Sequence, residues 1–239
     1  MTTIETTFTQ LRLHGMNRAW QSLVETRRHH ETNLSDGLEL LLQAESDDRL
    51  NRRTDRYRQQ ARFRYQATLN ELNYDPTRGL DKALLSQLAT GEYLDRGEMV
   101  LVTGTTGSGK SFLASALGHH ACAQGYKVSY FNMQKLLIRL KMSRSDGTII
   151  SLLDKFAKTH LLIIDDFGLT RLDQQQSIDF MEILEDRHGK NATIIAAQLP
   201  VASWYDLFSE ETVADAVMDR VAHGSYRIEL QGESLRKKR

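Results

Sequence analysis

The chain has 239 residues, 40% hydrophobic and 26% charged, with 31 basic residues balanced by 31 acidic ones. That size and composition suit one ordinary globular domain with a smaller one beside it, and they exclude a collagenous or strongly charged disordered chain. A single cysteine, Cys122, excludes an internal disulfide or a cysteine zinc site. No apolar run approaches the ~20 residues that cross a bilayer, and Met1 to Phe8 is unlike a signal peptide, so the expected location is cytoplasmic, with no membrane partner.

Residues 1 to about 73 read as helical. Leu11, Leu13, Met16, Ala19, Trp20, Leu23 and Val24 mostly recur at helical spacing, and Leu38, Leu41 and Leu42 line a second helix capped by Asn33 or Ser35. An arginine-rich stretch continues helically to about Leu72, where Asn73-Tyr74-Asp75-Pro76 stops it. The expected division is therefore a small all-α domain over 1–75 and an α/β domain over 76–239.

The pattern then changes. Asp81 to Ala89 is a short helix, and Met99 to Val102 is an apolar strand running into a glycine-rich loop. Ser111 to Ala123 forms the next helix, with Cys122 as a small buried side chain on it. Strands are expected at Lys127–Phe131, Leu161–Ile164 and Ala192–Ala197. Helices are expected at Gln134–Met142, Ile149–Ala157 and Asp173–His188. Continuous apolar strands alternating with helices predict a parallel sheet covered on both faces.

The loop reads Gly104-Thr105-Thr106-Gly107-Ser108-Gly109-Lys110-Ser111 and matches G-x-x-x-x-G-K-[S/T] between a strand and a helix, as a Walker A loop requires. Glycines let the backbone wrap phosphates, and the helix start adds its positive dipole end. Lys110 is placed to reach the β- and γ-phosphates of ATP, and the Ser111 hydroxyl to hold magnesium.

Leu161-Leu162-Ile163-Ile164-Asp165-Asp166 is a buried strand ending in two carboxylates, the Walker B arrangement. In phosphate-loop folds this strand lies beside the loop strand, so Asp165 is expected to point at the magnesium, and Asp166 is placed to polarise an attacking water. Aspartate at the second position is a methylene shorter than the glutamate usual in many related ATPases. Gln198 ends the next strand. Its amide suits orientation of a water near the γ-phosphate, or an ordinary bond to backbone.

With these motifs in place, the chain resembles the AAA+ ATPases and, within them, the IstB-like transposition helper proteins, relatives of the DnaC helicase loaders and DnaA initiators. The resemblance extends to Gly79-Leu80-Asp81-Lys82-Ala83-Leu84, Asp165-Asp166-Phe167-Gly168, Asp215-Ala216-Val217-Met218-Asp219-Arg220, Tyr226-Arg227-Ile228-Glu229-Leu230 and Gly232-Glu233-Ser234-Leu235-Arg236. It implies an AAA+ phosphate-loop fold behind a small helical domain. It also implies Gln198 as sensor I, Arg220 as an arginine finger reaching a neighbouring subunit's ATP, and Arg236 as sensor II within the same subunit. The implied activity is ATP hydrolysis by a homo-oligomer on double-stranded DNA that serves a transposase of the same insertion sequence.

Support for DNA binding in the residues themselves is partial. Arg49, Arg52, Arg53, Arg56, Arg58, Arg62 and Arg64 crowd one stretch with Tyr57, Phe63 and Tyr65, and Lys135, Arg139, Lys141 and Arg144 mark a second basic helix. Such runs contact phosphates, or are simply solvated or partner-binding faces. Three other functions stay open: a helicase loader of the same fold, a small-molecule kinase, and an ATP-dependent assembly switch that hydrolyses negligibly.

Overall fold

A computed structural model of the chain describes residues 3–222, 224–232 and 234–235. They form two compact units, one up to Arg56 and one from Tyr57 onward.

The first unit is helical: α1 (Thr3–Gln10), α2 (His14–Glu25) and most of α3 (Leu34–Ala61), whose last turns belong to the second unit. Its two buried carboxylates are both paired. Glu45 accepts the Gly15 and Met16 amides at 2.8 and 3.3 Å, at the start of α2, where unsatisfied amides and the helix dipole favour a carboxylate. It also accepts Arg49 at 2.8 Å, while Asp48 pairs with Arg18 and Arg52.

The second unit holds α4 (Lys82–Thr90), α5 (Glu92–Asp95), β1 (Met99–Gly104), α6 (Lys110–Ala123), β2 (Val128–Asn132) and α7 (Met133–Ser145). It continues with α8 (Ile149–Ala157), β3 (Leu161–Phe167), α9 (Gln174–Arg187), β4 (Ala192–Ala197), α10 (Glu211–Ala222) and β5 (Ser225–Leu230). The five strands pair in parallel in the order β2-β3-β4-β1-β5.

Alternate strand residues feed two cores, as the pleat demands. Leu101, Leu162, Ile164 and Ile195 pack against α7 to α10 on one face, and Val100, Val102, Ile163 and Ile194 against α4 to α6 on the other. Arg187 is fully buried on the first side. It donates to Thr193, to the Phe156 and Thr159 carbonyls and to the Ala192 carbonyl, tying α8, α9 and β4 together.

Two expectations are corrected. The helix does not run to Leu72: α3 ends at Ala61 and Arg62 turns into the left-handed region at φ 58°. The turn delivers Phe63 into the second core, against Tyr130 and His119. Gly118 of α6 makes room, since a Cβ there would lie 2.3 Å from the Phe63 ring. The compact units divide at Arg56/Tyr57, and Tyr57, Phe63, Leu69, Leu72 and Tyr74 pack on the α/β core. Finally, β3 is not beside β1. β4 lies between them, so Gln198 emerges between the two Walker motifs. No helix among the described residues is long and apolar enough to cross a membrane.

Candidate functional site

The carboxyl ends of parallel strands share one edge, where ligands of open α/β sheets bind. Here β1 delivers the glycine-rich loop, β3 delivers Asp165 and Asp166, and β4 delivers Gln198. A cavity of about 570 Å³ opens there, within the range of small-molecule sites. The loop from Thr106 to Ser111, Asp166, Gln198, Arg64 and Arg78 line its polar side, and Leu72, Leu80, Leu230 and Leu235 its apolar side.

Lys110 opens α6 and is buried, its Nζ donating to the Gly104 and Thr105 carbonyls at 2.8 Å each. Gly104 sits at φ 145°, and a Cβ there would come within 2.2 Å of the Leu230 carbonyl. Arg78 steadies the loop by donating to the Ser108 carbonyl at 2.8 Å. Thr106 donates its hydroxyl to Gln198 Oε1 at 3.0 Å, which joins the loop to the end of β4.

Asp165 is fully buried and heavily engaged. Ser111 donates to its Oδ1 at 3.0 Å, the Tyr130 hydroxyl donates to Oδ2, and Arg64 Nη1 donates to Oδ2 at 3.2 Å. Burial, together with the Asp165 charge and hydrogen bond, pushes the Tyr130 phenol well above its ordinary range, so it remains a donor. Asp166 lies at φ 59°, where the β3–β4 register shifts. Its Oδ2 accepts from Arg64 Nη1 at 2.9 Å and from Asn132 Nδ2 at 2.8 Å. Asn132 also caps α7 through the Gln134 amide at 3.1 Å. Burial would lower the Arg64 pKa, but the Asp165 hydrogen bond and the charges of Asp166 and Asp165 more than reverse this.

These residues fit a nucleoside triphosphate with a divalent cation. Lys110 is a buried cation inside a loop closed against side chains, and Ser108 Oγ is buried with no hydrogen-bond partner among the described residues. Ser111 Oγ and Asp165 Oδ1 put a hydroxyl and a carboxylate within 3.0 Å of each other, the hard oxygen donors magnesium prefers.

The other candidates are scattered. Arg220 pairs with Glu185 of α9 and donates to the Ala216 carbonyl at 2.8 Å, so within its own chain it does not line the cavity. Arg236 lies outside the described residues. Arg49 and Arg52 hold Glu45 and Asp48, while Arg53, Arg56 and Arg58 are exposed. On α7, Arg139 lies over the Phe131 ring at 5.7 Å, Lys135 and Lys141 are exposed, and Arg144 turns onto buried Asp179.

Four residues of the site escape a reading of the sequence. Arg64 falls within the arginine run, and only the end of α3 separates it from that run. Arg78, Tyr130 and Asn132 carry no motif; the one available signal is that Tyr130 and Asn132 flank the end of an apolar strand.

The IstB-like ATP binding protein family matches residues 6–239. A putative insertion sequence ATP-binding protein, y4pL, of Sinorhizobium fredii is 39% identical over 225 residues, which covers 94% of this chain and 92% of that one. The insertion sequence IS21 putative ATP-binding protein of Pseudomonas aeruginosa is 27% identical, covering 98% and 89%. Among solved structures, the DnaC helicase loader aligns at TM-score 0.60 and 21% identity, over 74% of this chain and 99% of that one. DnaA bound to AMPPCP and single-stranded DNA aligns at 0.58 and 20%, over 72% and 52%. The sheet order, the loop and the paired aspartates thus sit on the fold of the AAA+ DnaC and DnaA domains, and the chain belongs to the IstB-like ATP-binding protein family.

Proposed function

We propose that this chain is an ATPase that binds ATP with magnesium, assembles as a homo-oligomer on double-stranded DNA, and assists a transposase of the same insertion sequence in choosing or remodelling its target. The approach of Ser111 to Asp165 carries the ATPase reading, because it brings both Walker motifs to one point. Lys110 contacts the β- and γ-phosphates, and Ser111 and Asp165 hold magnesium. When bound, that ion neutralises charge on the phosphates. Asp166 polarises the attacking water and Gln198 orients it. Arg220 leaves Glu185 to complete a neighbouring subunit's site, and Arg236 contacts nucleotide in its own subunit. Leu72, Leu80 and Leu230 supply an apolar wall for the base.

The insertion-sequence relatives support the transposition role, and the basic residues of α3 and α7 support DNA contact. The test is ATP hydrolysis with and without long duplex DNA while particle mass is followed, with Lys110→Ala as control. DNA-stimulated turnover with ATP-dependent growth in mass is expected. Turnover and mass indifferent to DNA would shift the reading to a protein partner of the N-terminal helices, such as a helicase. One observation favours a second reading, an assembly switch with negligible hydrolysis: Asp166 is held by both Arg64 and Asn132.

A further inference from the structure

A second, larger cavity of about 1250 Å³ runs along the free edge of the sheet at β2. Arg62, Arg64, Lys127, Lys135, Arg139 and Lys155 line it, against the single carboxylate of Asp166. Arg62, Lys127, Lys135 and Lys155 have no acidic partner among the described residues. Six cations converging on a concave surface form an electrostatic trap for a polyanion, and their spread along a strand edge suits a chain of phosphates better than a single one. Phe63, Tyr130 and Phe131 also line this groove. It shares Arg64 and Asp166 with the nucleotide cavity.

We propose that this groove binds the phosphodiester backbone of DNA, and that Arg64 is the gate coupling it to the nucleotide site. The inference rests on the DNA reading above and deepens it. Arg64 stands on Asp165 and Asp166, the carboxylates assigned to magnesium and to water. A guanidinium on the Oδ2 atoms competes with a divalent cation at Asp165 Oδ1 for the negative charge of the same carboxylates. In an empty groove the five neighbouring cations repel Arg64 and favour its place on the carboxylates. Phosphates in the groove neutralise those cations and offer Arg64 new acceptors, since a guanidinium serves phosphate as well as carboxylate. Withdrawal of Arg64 then removes the competing positive charge from both aspartates, leaving Asp165 with Ser111 and Tyr130 and Asp166 with Asn132. The left-handed backbone at Arg62 and at Asp166, φ 58° and 59°, marks both sides of this contact as conformationally constrained. Linkage makes the effect reciprocal: duplex tightens magnesium–nucleotide, and magnesium–nucleotide tightens duplex by the same factor.

Two binding measurements on the full chain test this. In the first, anisotropy of a labelled duplex is followed across a salt series for the wild type and for Lys135→Ala/Arg139→Ala/Lys155→Ala. The variant is expected to bind more weakly, its log–log salt slope shallower by about 0.9 for each phosphate it no longer neutralises. Unchanged affinity and slope in the variant, with the wild type binding, would overturn the groove alone and leave the β2 edge to a protein strand. Absence of duplex binding by the wild type would instead remove the DNA reading itself. In the second, a fluorescent non-hydrolysable ATP analogue with magnesium is titrated with and without saturating duplex. The wild type is expected to gain roughly 5- to 150-fold in affinity from the duplex. Arg64→Gln is expected to bind the analogue tightly without DNA and to gain almost nothing from it. Arg64→Lys, which keeps the charge but not the forked donors, is expected between the two. A duplex effect of wild-type size in both variants, with wild-type melting curves, would overturn the gate.

Discussion

The Tyr130 hydroxyl donates its hydrogen bond to one oxygen of Asp165 while Ser111 donates to the other. Tyr130 comes from β2 at the sheet edge, with β3 and β4 between it and the strand that carries the phosphate loop. It fixes the orientation of a carboxylate assigned to magnesium, and partners of this kind are worth about 10- to 100-fold in metal affinity. Tyr130→Phe is therefore expected to weaken magnesium-dependent nucleotide binding by about tenfold. Calorimetry with and without magnesium checks this, since the difference from wild type should vanish when the ion is omitted.

Lys110→Ala removes the buried cation of the loop. A hydrogen bond to a charged group is worth about 2 kcal/mol, so ATP affinity should fall at least roughly thirtyfold and turnover should disappear. Wild-type hydrolysis by this variant would refute the site.

Asp165 and Asp166 should separate. Asp165→Asn is expected to lose magnesium-dependent binding. Asp166→Asn should retain ATP and hold the proposed assembly, because the role proposed for Asp166 is in water activation. Asparagine tolerates the left-handed backbone of this position, so the substitution changes charge without adding strain. Equal loss of ATP affinity in equilibrium binding by both variants would count against separate roles.

Arg220 is held by Glu185 in its own subunit, a pair that must open if the guanidinium is to serve a neighbour. Mixing Arg220→Ala with Lys110→Ala should restore part of the ATPase activity, because some mixed interfaces combine an intact loop with an intact arginine. No recovery at any ratio would assign Arg220 a role within its own chain.

The helical unit should be acid-sensitive. Burial acts to raise the Glu45 and Asp48 pKa values, but Arg49 and the Gly15 and Met16 amides for Glu45, and Arg52 and Arg18 for Asp48, bring both below their ordinary values of 4.5 and 3.8. A folded-state pKa below the unfolded one contributes stability above the unfolded value and loses it as pH falls through the folded value. Amide protection of α2 and α3, taken relative to the intrinsic exchange rate at each pH, should therefore fall below those ordinary values, ahead of that of the β1–β4 core. Glu45→Gln should exchange faster at neutral pH and respond less to acid.

Elements driven by local pattern were legible in the sequence. Four strands fell where apolar runs predicted them, and the helices expected to start at Asp81 and Asp173 do start there, each capped by that aspartate. The Walker residues were legible because their chemistry needs a fixed spacing. What stayed hidden depends on pairing across the sheet. β5 reads Ser-Tyr-Arg-Ile-Glu-Leu, a half-exposed strand without an apolar run. The insertion of β4 between β3 and β1 leaves no local trace. Arg64 looked like one arginine among seven because only the turn at Arg62 and the docking of Phe63 aim it at Asp166.

Cys122 is the chain's one thiol, buried on α6 with its pKa pushed up to about 12 by burial. Thiolate is the reacting form, so maleimide reagents meet almost no target on the native surface. A cysteine introduced at an exposed position would be the single reactive handle of each chain. Dyes could then be attached to one chosen point without first removing the native residue, and the proposed assembly tested by following distances between labels as ATP and DNA are added.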